Sequence, residues 1–78
     1  MPRRSIRHYD YFHLWVEEGE LREVGVITDC FIEGNIITFV VGKREYSFYL
    51  QRADKPKSSI MFWGDGPRRA VLTLPSAV

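Results

Sequence analysis

Three side chains of this 78-residue chain could act as soft metal ligands, namely His8, His13 and Cys30. A structural zinc ion usually takes four such ligands, which occur as closely spaced pairs of cysteine or histidine. These three residues match no such spacing, and without a carboxylate they could not close a site. We therefore expect no metal site and no other cofactor.

The candidates for catalysis are equally sparse. Glu17 and Glu18 are adjacent carboxylates, but they lie in an exposed polar turn, which favours a role in solubility over acid–base chemistry. The segment 64–67 contains the glycines of a phosphate loop without the helix that would follow one, so it predicts a hairpin turn. No serine lies in a nucleophile-elbow sequence. We expect neither an enzyme nor a small-molecule substrate.

The cellular location is predicted from cysteine usage and from the N-terminus. A single cysteine cannot form an internal disulfide, and Cys30 alternates with apolar residues as a buried strand residue would. The first residues are basic but lack the apolar centre and cleavage site of a signal peptide. No segment approaches the length of a membrane span. These features predict a cytoplasmic protein that binds no membrane.

Length and composition limit the domain organisation. The chain is 45% hydrophobic, 14% aromatic and 27% charged, a composition that is typical of a folded protein. At 78 residues it is close to the smallest size at which one core suffices, so self-association would add stability. We expect a basic, mobile arm over residues 1–8, one β domain over 9–74 and a tail over 75–78.

Two glycines predict the pairing of the central strands. A two-residue hairpin loop favours glycine at positive φ, and Gly34–Asn35 and Gly42–Lys43 each separate two alternating apolar stretches. Both loops place the same side chains on one face of the sheet. This predicted core face consists of Val24, Val26, Cys30, Ile32, Ile37, Phe39, Val41, Tyr46, Phe48 and Leu50.

The remaining segments also alternate as strands do. We predict a first strand over 9–16, a three-residue loop ending at Gly19, a long strand over 20–33 that Gly25 could bend, and two short strands over 60–63 and 69–74. In this register Phe12 faces Val24. Inward positions are Phe12, Leu14 and Val16, and outward positions are Tyr11, His13 and Trp15. The sum is an all-β fold, a single antiparallel meander of five to six strands that forms a barrel or a two-layer sandwich. It is similar to Src-homology-3 and Tudor domains in size only, because none of their motifs is present.

The face opposite the predicted core is unusually apolar. The alternation that places Cys30 and Phe39 inward places Ile27, Phe31, Ile36, Val40 and Tyr49 on the other side. Either the rest of the chain folds over this second face, as in small barrels, or a partner covers it. The sequence alone leaves both alternatives open.

The preferred functional hypothesis follows from that second face. It is a small non-enzymatic binding module that acts through protein–protein interaction, as an accessory subunit, adaptor or inhibitor, with another protein or a second copy of itself as partner. The predicted interface consists of Ile27, Phe31, Ile36, Val40, Tyr49 and Trp63.

The alternative hypothesis is a nucleic-acid-binding barrel. The net charge is only +1, but four glutamates are concentrated between residues 17 and 23, so the rest of the chain is basic. Cations near exposed aromatic rings would neutralise phosphates and stack on bases. The residues of this alternative site are Arg3, Arg4, Arg7, Tyr9, Tyr11, Trp15, Arg52, Lys55 and Lys57.

Overall fold

The computed structural model of the chain describes residues 2–54 and 60–75. Its regular structure in these ranges is entirely β. In chain order the strands are β1 Arg4–Ser5, β2 His13–Glu18, β3 Glu20–Val26, β4 Asp29–Glu33, β5 Ile36–Val41, β6 Arg44–Tyr49, β7 Arg52–Asp54, β8 Ile60–Trp63 and β9 Arg69–Thr73.

The strands form two antiparallel sheets that enclose one core. The four-stranded sheet has the order β1-β4-β5-β6, and the five-stranded sheet has the order β3-β2-β9-β8-β7. The chain passes from one sheet to the other between β1 and β2, between β3 and β4, and again between β6 and β7. From β2 onward the path is therefore an up-and-down meander whose last strand, β9, returns beside β2. The predicted all-β, antiparallel fold is confirmed, although the two sheets do not join into one closed barrel.

The central hairpins have the predicted register. Phe39 on β5 lies opposite Cys30 on β4 and opposite Tyr46 on β6. Gly34 and Gly42 adopt φ values of 62° and 63°, as the first position of a type II′ loop requires. The turn chemistry therefore determines which side chains of β4, β5 and β6 face the core.

The predicted long strand over 20–33 is two strands joined by a corner at Ile27. The Ile27 N–H donates to the Phe12 carbonyl at 2.9 Å, and its own carbonyl accepts from the Tyr11 N–H at 2.9 Å. Ile27 is completely buried, whereas Val26 is 40% exposed. The predictions that Val26 is a core residue and that Ile27 lies on the outer face are both wrong, because strict alternation ends where the chain changes sheets.

The first hairpin is tighter than predicted. Gly19 alone separates Glu18 from Glu20, with φ of 88°, in place of a three-residue loop. A β-bulge at Val24 shifts the register once more, so Ile27 and not Val24 bonds to Phe12. The loop changes the register by two residues, and a shift of two keeps each side chain on its face. The predicted inward direction of β2 residues such as Leu14 is therefore correct although the register is not.

Gly25 allows β3 to approach β5 closely. Its φ is 144°, and a Cβ atom at this position would lie 2.9 Å from Cγ1 of Val41. Glycine alone fits both the backbone conformation and the spacing.

The first residues belong to the fold. Arg4 and Ser5 pair with β4, and the Ile6 N–H donates to the Cys30 carbonyl at 2.9 Å. Residues expected in an arm outside the domain therefore extend the four-stranded sheet. The first long strand begins at His13 and not at Tyr9, because residues 8–11 form a turn.

Aromatic side chains form the centre of the core. The ring of Phe39 lies 5.5 Å from that of Phe62 and 6.2 Å from those of Tyr9 and Phe48, measured between centroids. Such tilted contacts add to the free energy gained from burial. The buried core cluster comprises Tyr9, Leu14, Ile27, Cys30, Ile37, Phe39, Phe48, Phe62, Ala70 and Leu72.

The corner predicts that substitutions at two neighbouring residues change the free energy of unfolding by very different amounts. Ile27→Thr should lower the free energy of unfolding by about 2 to 3 kcal/mol, since it leaves a cavity and buries a hydroxyl. Val26→Thr should change it by less than about 0.5 kcal/mol, because that side chain is exposed. Urea denaturation of both variants measures the difference. Equal losses would contradict the placement of the corner.

The close approach of Gly25 to Val41 predicts a coupling between the two residues. Gly25→Ala should cost about 2 kcal/mol, through backbone strain and overpacking. In the double variant with Val41→Ala the loss should be smaller than the sum of the two single losses, because the smaller side chain removes the collision. Urea denaturation of the four proteins tests this, and additive losses would show that the two residues do not touch.

Candidate protein-binding surface

The predicted interface residues do not form one surface. Phe31, Ile36, Val40 and Tyr49 lie on the outer face of the four-stranded sheet, as the alternation predicted. Ile27 is completely buried at the corner and cannot contact a partner, so its inclusion is a wrong prediction. A second predicted residue, Trp63, lies on the outer face of the five-stranded sheet.

The outer face of the four-stranded sheet is polar at its centre and partly covered by the chain itself. The hydroxyls of Thr38 and Ser47 hydrogen-bond to each other at 2.9 Å, and Thr38 is only 9% exposed. The guanidinium carbon of Arg3 lies 4.3 Å above the ring of Phe31, and Arg3 also pairs with Glu45 at 3.5 Å. The chain thus supplies part of the cover that this face needs.

Tyr49 is the exposed apolar residue at the edge of that face. It is 39% exposed, and its hydroxyl donates to a carboxylate oxygen of Asp65. This hydrogen bond and the negative charge of Asp65 raise the pKa of the Tyr49 phenol, and desolvation contributes less. Tyr49 is therefore held by its own chain as well.

A second and more exposed apolar surface lies on the outer face of the five-stranded sheet. Trp15 on β2 is opposite Val71 on β9, and Val71 is opposite Met61 on β8. The side chains on either side of these positions, such as Leu72, are buried in the core, so this row points outward. We name this surface the tryptophan face; its apolar members are Trp15, Leu21, Val26, Met61, Trp63 and Val71.

The exposure of the tryptophan face distinguishes it from the other sheet. Leu21, Val26 and Trp63 are 51%, 40% and 42% exposed, and they are three of the six exposed large apolar side chains in the described ranges. Trp15 is half-buried, and its indole N–H donates to the Thr73 hydroxyl at 3.2 Å. This hydrogen bond holds the ring in place at the centre of the face.

The charged groups of the tryptophan face are already paired. Arg69 bonds to a carboxylate oxygen of Glu17, and its guanidinium carbon lies 5.7 Å from the centre of the Trp63 ring. His13 Nδ1 lies 3.0 Å from a carboxylate oxygen of Glu23. The face thus combines apolar side chains with internally compensated charges.

Sequence reasoning missed most of this surface. It directed Trp15 outward and included Trp63, but it did not single out Leu21, Met61 or Val71. A signal was present, because Val71 alternates with the core residues Ala70 and Leu72. The missing step was the pairing of the first long strand with the last, which brings these residues together.

The aromatic residues of the nucleic-acid alternative lie in three different surroundings. Tyr9 is 5% exposed within the core, so its placement on an exposed platform is wrong. Tyr11 is 69% exposed in the turn before β2, where its φ is 70°. Trp15 belongs to the tryptophan face. They do not form a continuous stacking surface.

The basic residues of that alternative are also dispersed. Arg3 packs on Phe31, whereas Arg4 and Arg7 are exposed near the N-terminus. Arg52 lies in β7, and Lys55 and Lys57 fall outside the described residues.

Cys30, one of the three candidate soft metal ligands, lies in the core. Cys30 is completely buried, and burial, assisted by the charges of Asp10 and Asp29, raises the pKa of its thiol to about 12. Within residues 2–54 and 60–75, no three His, Cys, Asp or Glu side chains are grouped closely enough to hold a metal ion. The same ranges contain no helix that is long and apolar enough to cross a membrane.

The buried thiol makes two measurable predictions. At about pH 8, Cys30 should react with a disulfide reagent at least about a hundredfold more slowly in the folded protein than in denaturant. Folding favours the neutral thiol, so the free energy of unfolding should fall as the pH rises from 9.0 towards about 12. Cys30→Ala, as the control, should lack this part of the decrease. Rapid labelling of the folded protein would contradict the assignment.

Comparisons with protein-family models, with curated protein sequences and with solved structures gave no match to this chain.

Proposed function

We propose that this protein is a non-enzymatic protein-interaction module that docks through the tryptophan face, and that its partner is a second copy of the chain. The observation that carries the proposal is the outward pair of Trp15 and Val71 beside the exposed Trp63. Met61, opposite Val71 on the same side, is only 5% exposed, so the surface open to a partner lies around Trp63, Leu21 and Val26.

The composition of the tryptophan face supports a protein partner. Tryptophan, methionine and arginine are enriched at the centres of protein interfaces, and tryptophan and arginine frequently dominate their binding energy. Here Arg69 packs against Trp63 and is held by Glu17, so few side-chain rotamers remain to be lost on association. The face is therefore organised before a partner arrives.

The charge of the face favours protein over nucleic acid. A phosphate backbone requires cations that are free to neutralise it. The arginine of this face already pairs with Glu17, and Glu23 adds a further negative charge. Two tryptophans without an available cation provide stacking without the electrostatic attraction that dominates nucleic-acid affinity.

A second copy fits the face for two physical reasons. A chain of 78 residues has a small core, and covering an apolar sheet face adds stability that such a core lacks. In a two-fold contact the same surface meets itself, so Glu17 of one copy can approach Arg69 of the other. Because Glu17 and Arg69 lie opposite each other, this face carries both signs of charge and is complementary to itself.

The size of the face limits the affinity. It spans four strands, or about 14 Å at roughly 4.8 Å between neighbouring strands. Interfaces at the lower end of the size range are weak and reversible. We therefore propose a dimer with a dissociation constant on the order of micromolar.

Two matched substitutions test the proposal. Val71 and Val40 are both half-buried valines in central strands, but they lie on the outer faces of opposite sheets. Val71→Lys should weaken dimerisation at least about thirtyfold, since a charge would be desolvated in the interface, whereas Val40→Lys should leave it unchanged. Sedimentation velocity over a concentration series measures both, with thermal unfolding as the check that each variant is folded.

Each other outcome contradicts a stated part of the proposal. Loss of the dimer in Val40→Lys alone would place the interface on the four-stranded sheet. A wild-type protein that remains monomeric up to millimolar concentration would exclude self-association. A saturable change in tryptophan fluorescence with an oligonucleotide, weakening steeply with salt, would favour the nucleic-acid alternative.

A further inference from the structure

A cavity opens at the end of the core that lies next to the N-terminal segment. Its volume is about 480 Å³, within the range of roughly 300 to 1,000 Å³ that is typical of ligand pockets. A second hollow of about 470 Å³ adjoins it, and Ile32 and Leu50 line both. The cavity is lined by Ile6, His8, Tyr9, Ile32, Ile37, Leu50 and Phe62.

Apart from the exposed His8, the walls of the cavity are formed by core residues and by apolar residues packed against the core. Ile37 and Phe62 are at most 1% exposed, and Tyr9 is held by edge-on contacts with neighbouring rings, including that of Phe62 at 5.8 Å. Ile32 and Leu50 remain half-buried at the opening. The interior is thus a firm apolar surface with an accessible entrance, as in barrels that bind small molecules at one end.

The rim of the adjoining hollow is positively charged. Arg3 and Arg4 line it together with the Gly34 loop. Arg3 already pairs with Glu45, but Arg4 is exposed and forms no salt bridge with any described residue. A guanidinium is a strong donor to carboxylates and stays charged at any physiological pH.

We infer that this opening binds a single-chain aliphatic carboxylate. The aliphatic chain lies between Ile32, Leu50 and the aromatic rings, and the carboxylate accepts hydrogen bonds from Arg4. Charge complementarity selects an anionic head group, and the apolar walls select a chain over a compact polar anion. This site lies away from the tryptophan face and does not depend on the proposed dimer.

Titration with decanoate, below the concentration at which it forms micelles, tests the inference. Isoleucine methyl groups are observed by NMR at about pH 8, where a carboxylate is ionised. Ile6, Ile32 and Ile37 should shift saturably, while Ile36 on the outer face of the four-stranded sheet should not. Decanol, with the same chain and no charge, should bind at least about tenfold more weakly, and butyrate should not bind measurably.

A matched pair of arginines tests the role of the head group. Arg4 and Arg44 are both exposed strand residues without a salt bridge to a described residue, but Arg44 lies at the opposite end of the four-stranded sheet, beside the Gly42 loop. Arg4→Glu should weaken decanoate binding at least about tenfold, and Arg44→Glu should not change it. Should Arg4→Glu fail to fold, Arg4→Gln retains the test, because it removes the positive charge without adding a negative one.

Three results would overturn the inference. The first is no saturable shift of the cavity methyl groups in the folded wild-type protein. The second is equal affinity for decanoate and decanol, which would exclude recognition of the carboxylate. The third is an equal effect of the Arg4 and Arg44 substitutions. That result would show that the net charge of the protein attracts decanoate and that Arg4 has no specific role.

Discussion

The corner at Ile27 is the constraint on which the two-layer arrangement depends. The N–H and the carbonyl of Ile27 both form hydrogen bonds with the segment before β2. The next residue, Thr28, donates its N–H to the Val40 carbonyl on the other sheet at 2.9 Å. The chain therefore stays paired on both sides of the bend and loses no backbone hydrogen bond. Complete burial of the Ile27 side chain then fixes the two sheets against one core.

The corner also determines which residues reach the surface. Because β3 turns away from β4, β2 is paired by β3 on one side and by β9 on the other. Trp15 thus lies on an inner strand of the sheet, where its outward side chain is on the same face as Val71 on the neighbouring strand and Met61 on the strand after it. The tryptophan face is a consequence of closing a short chain around one core.

The parts of the fold that sequence predicts well are those determined by local chemistry. Gly34 and Gly42 set the central register, because few residues other than glycine adopt the positive φ that a two-residue loop requires. Alternation along β5 then predicts which of its side chains face the core and which face outward. For the first hairpin, the register was predicted wrongly but the faces of β2 correctly, because the error of two residues preserves the alternation of that strand.

The parts that sequence could not predict depend on long-range contacts. Nothing local distinguishes Ile27 from an outward strand residue, since its burial results from the pairing of a distant segment. Tyr9 belongs to a turn that folds its ring into the core, and an alternating pattern cannot indicate that. Likewise the candidate site joins residues from β2, β8 and β9, and only the pairing of the first long strand with the last brings them together.

The central claim is that the tryptophan face is covered by a second copy of the chain. Tryptophan fluorescence of the wild-type protein reports this directly, because both of its tryptophans, Trp15 and Trp63, lie on that face. Trp63 is 42% exposed in the single chain, so burial in a dimer changes its surroundings strongly. On dilution through the micromolar range, the emission maximum should move to longer wavelength, with a midpoint that matches dimer dissociation in sedimentation. A maximum that stays constant over this range, in a folded protein, would contradict the account.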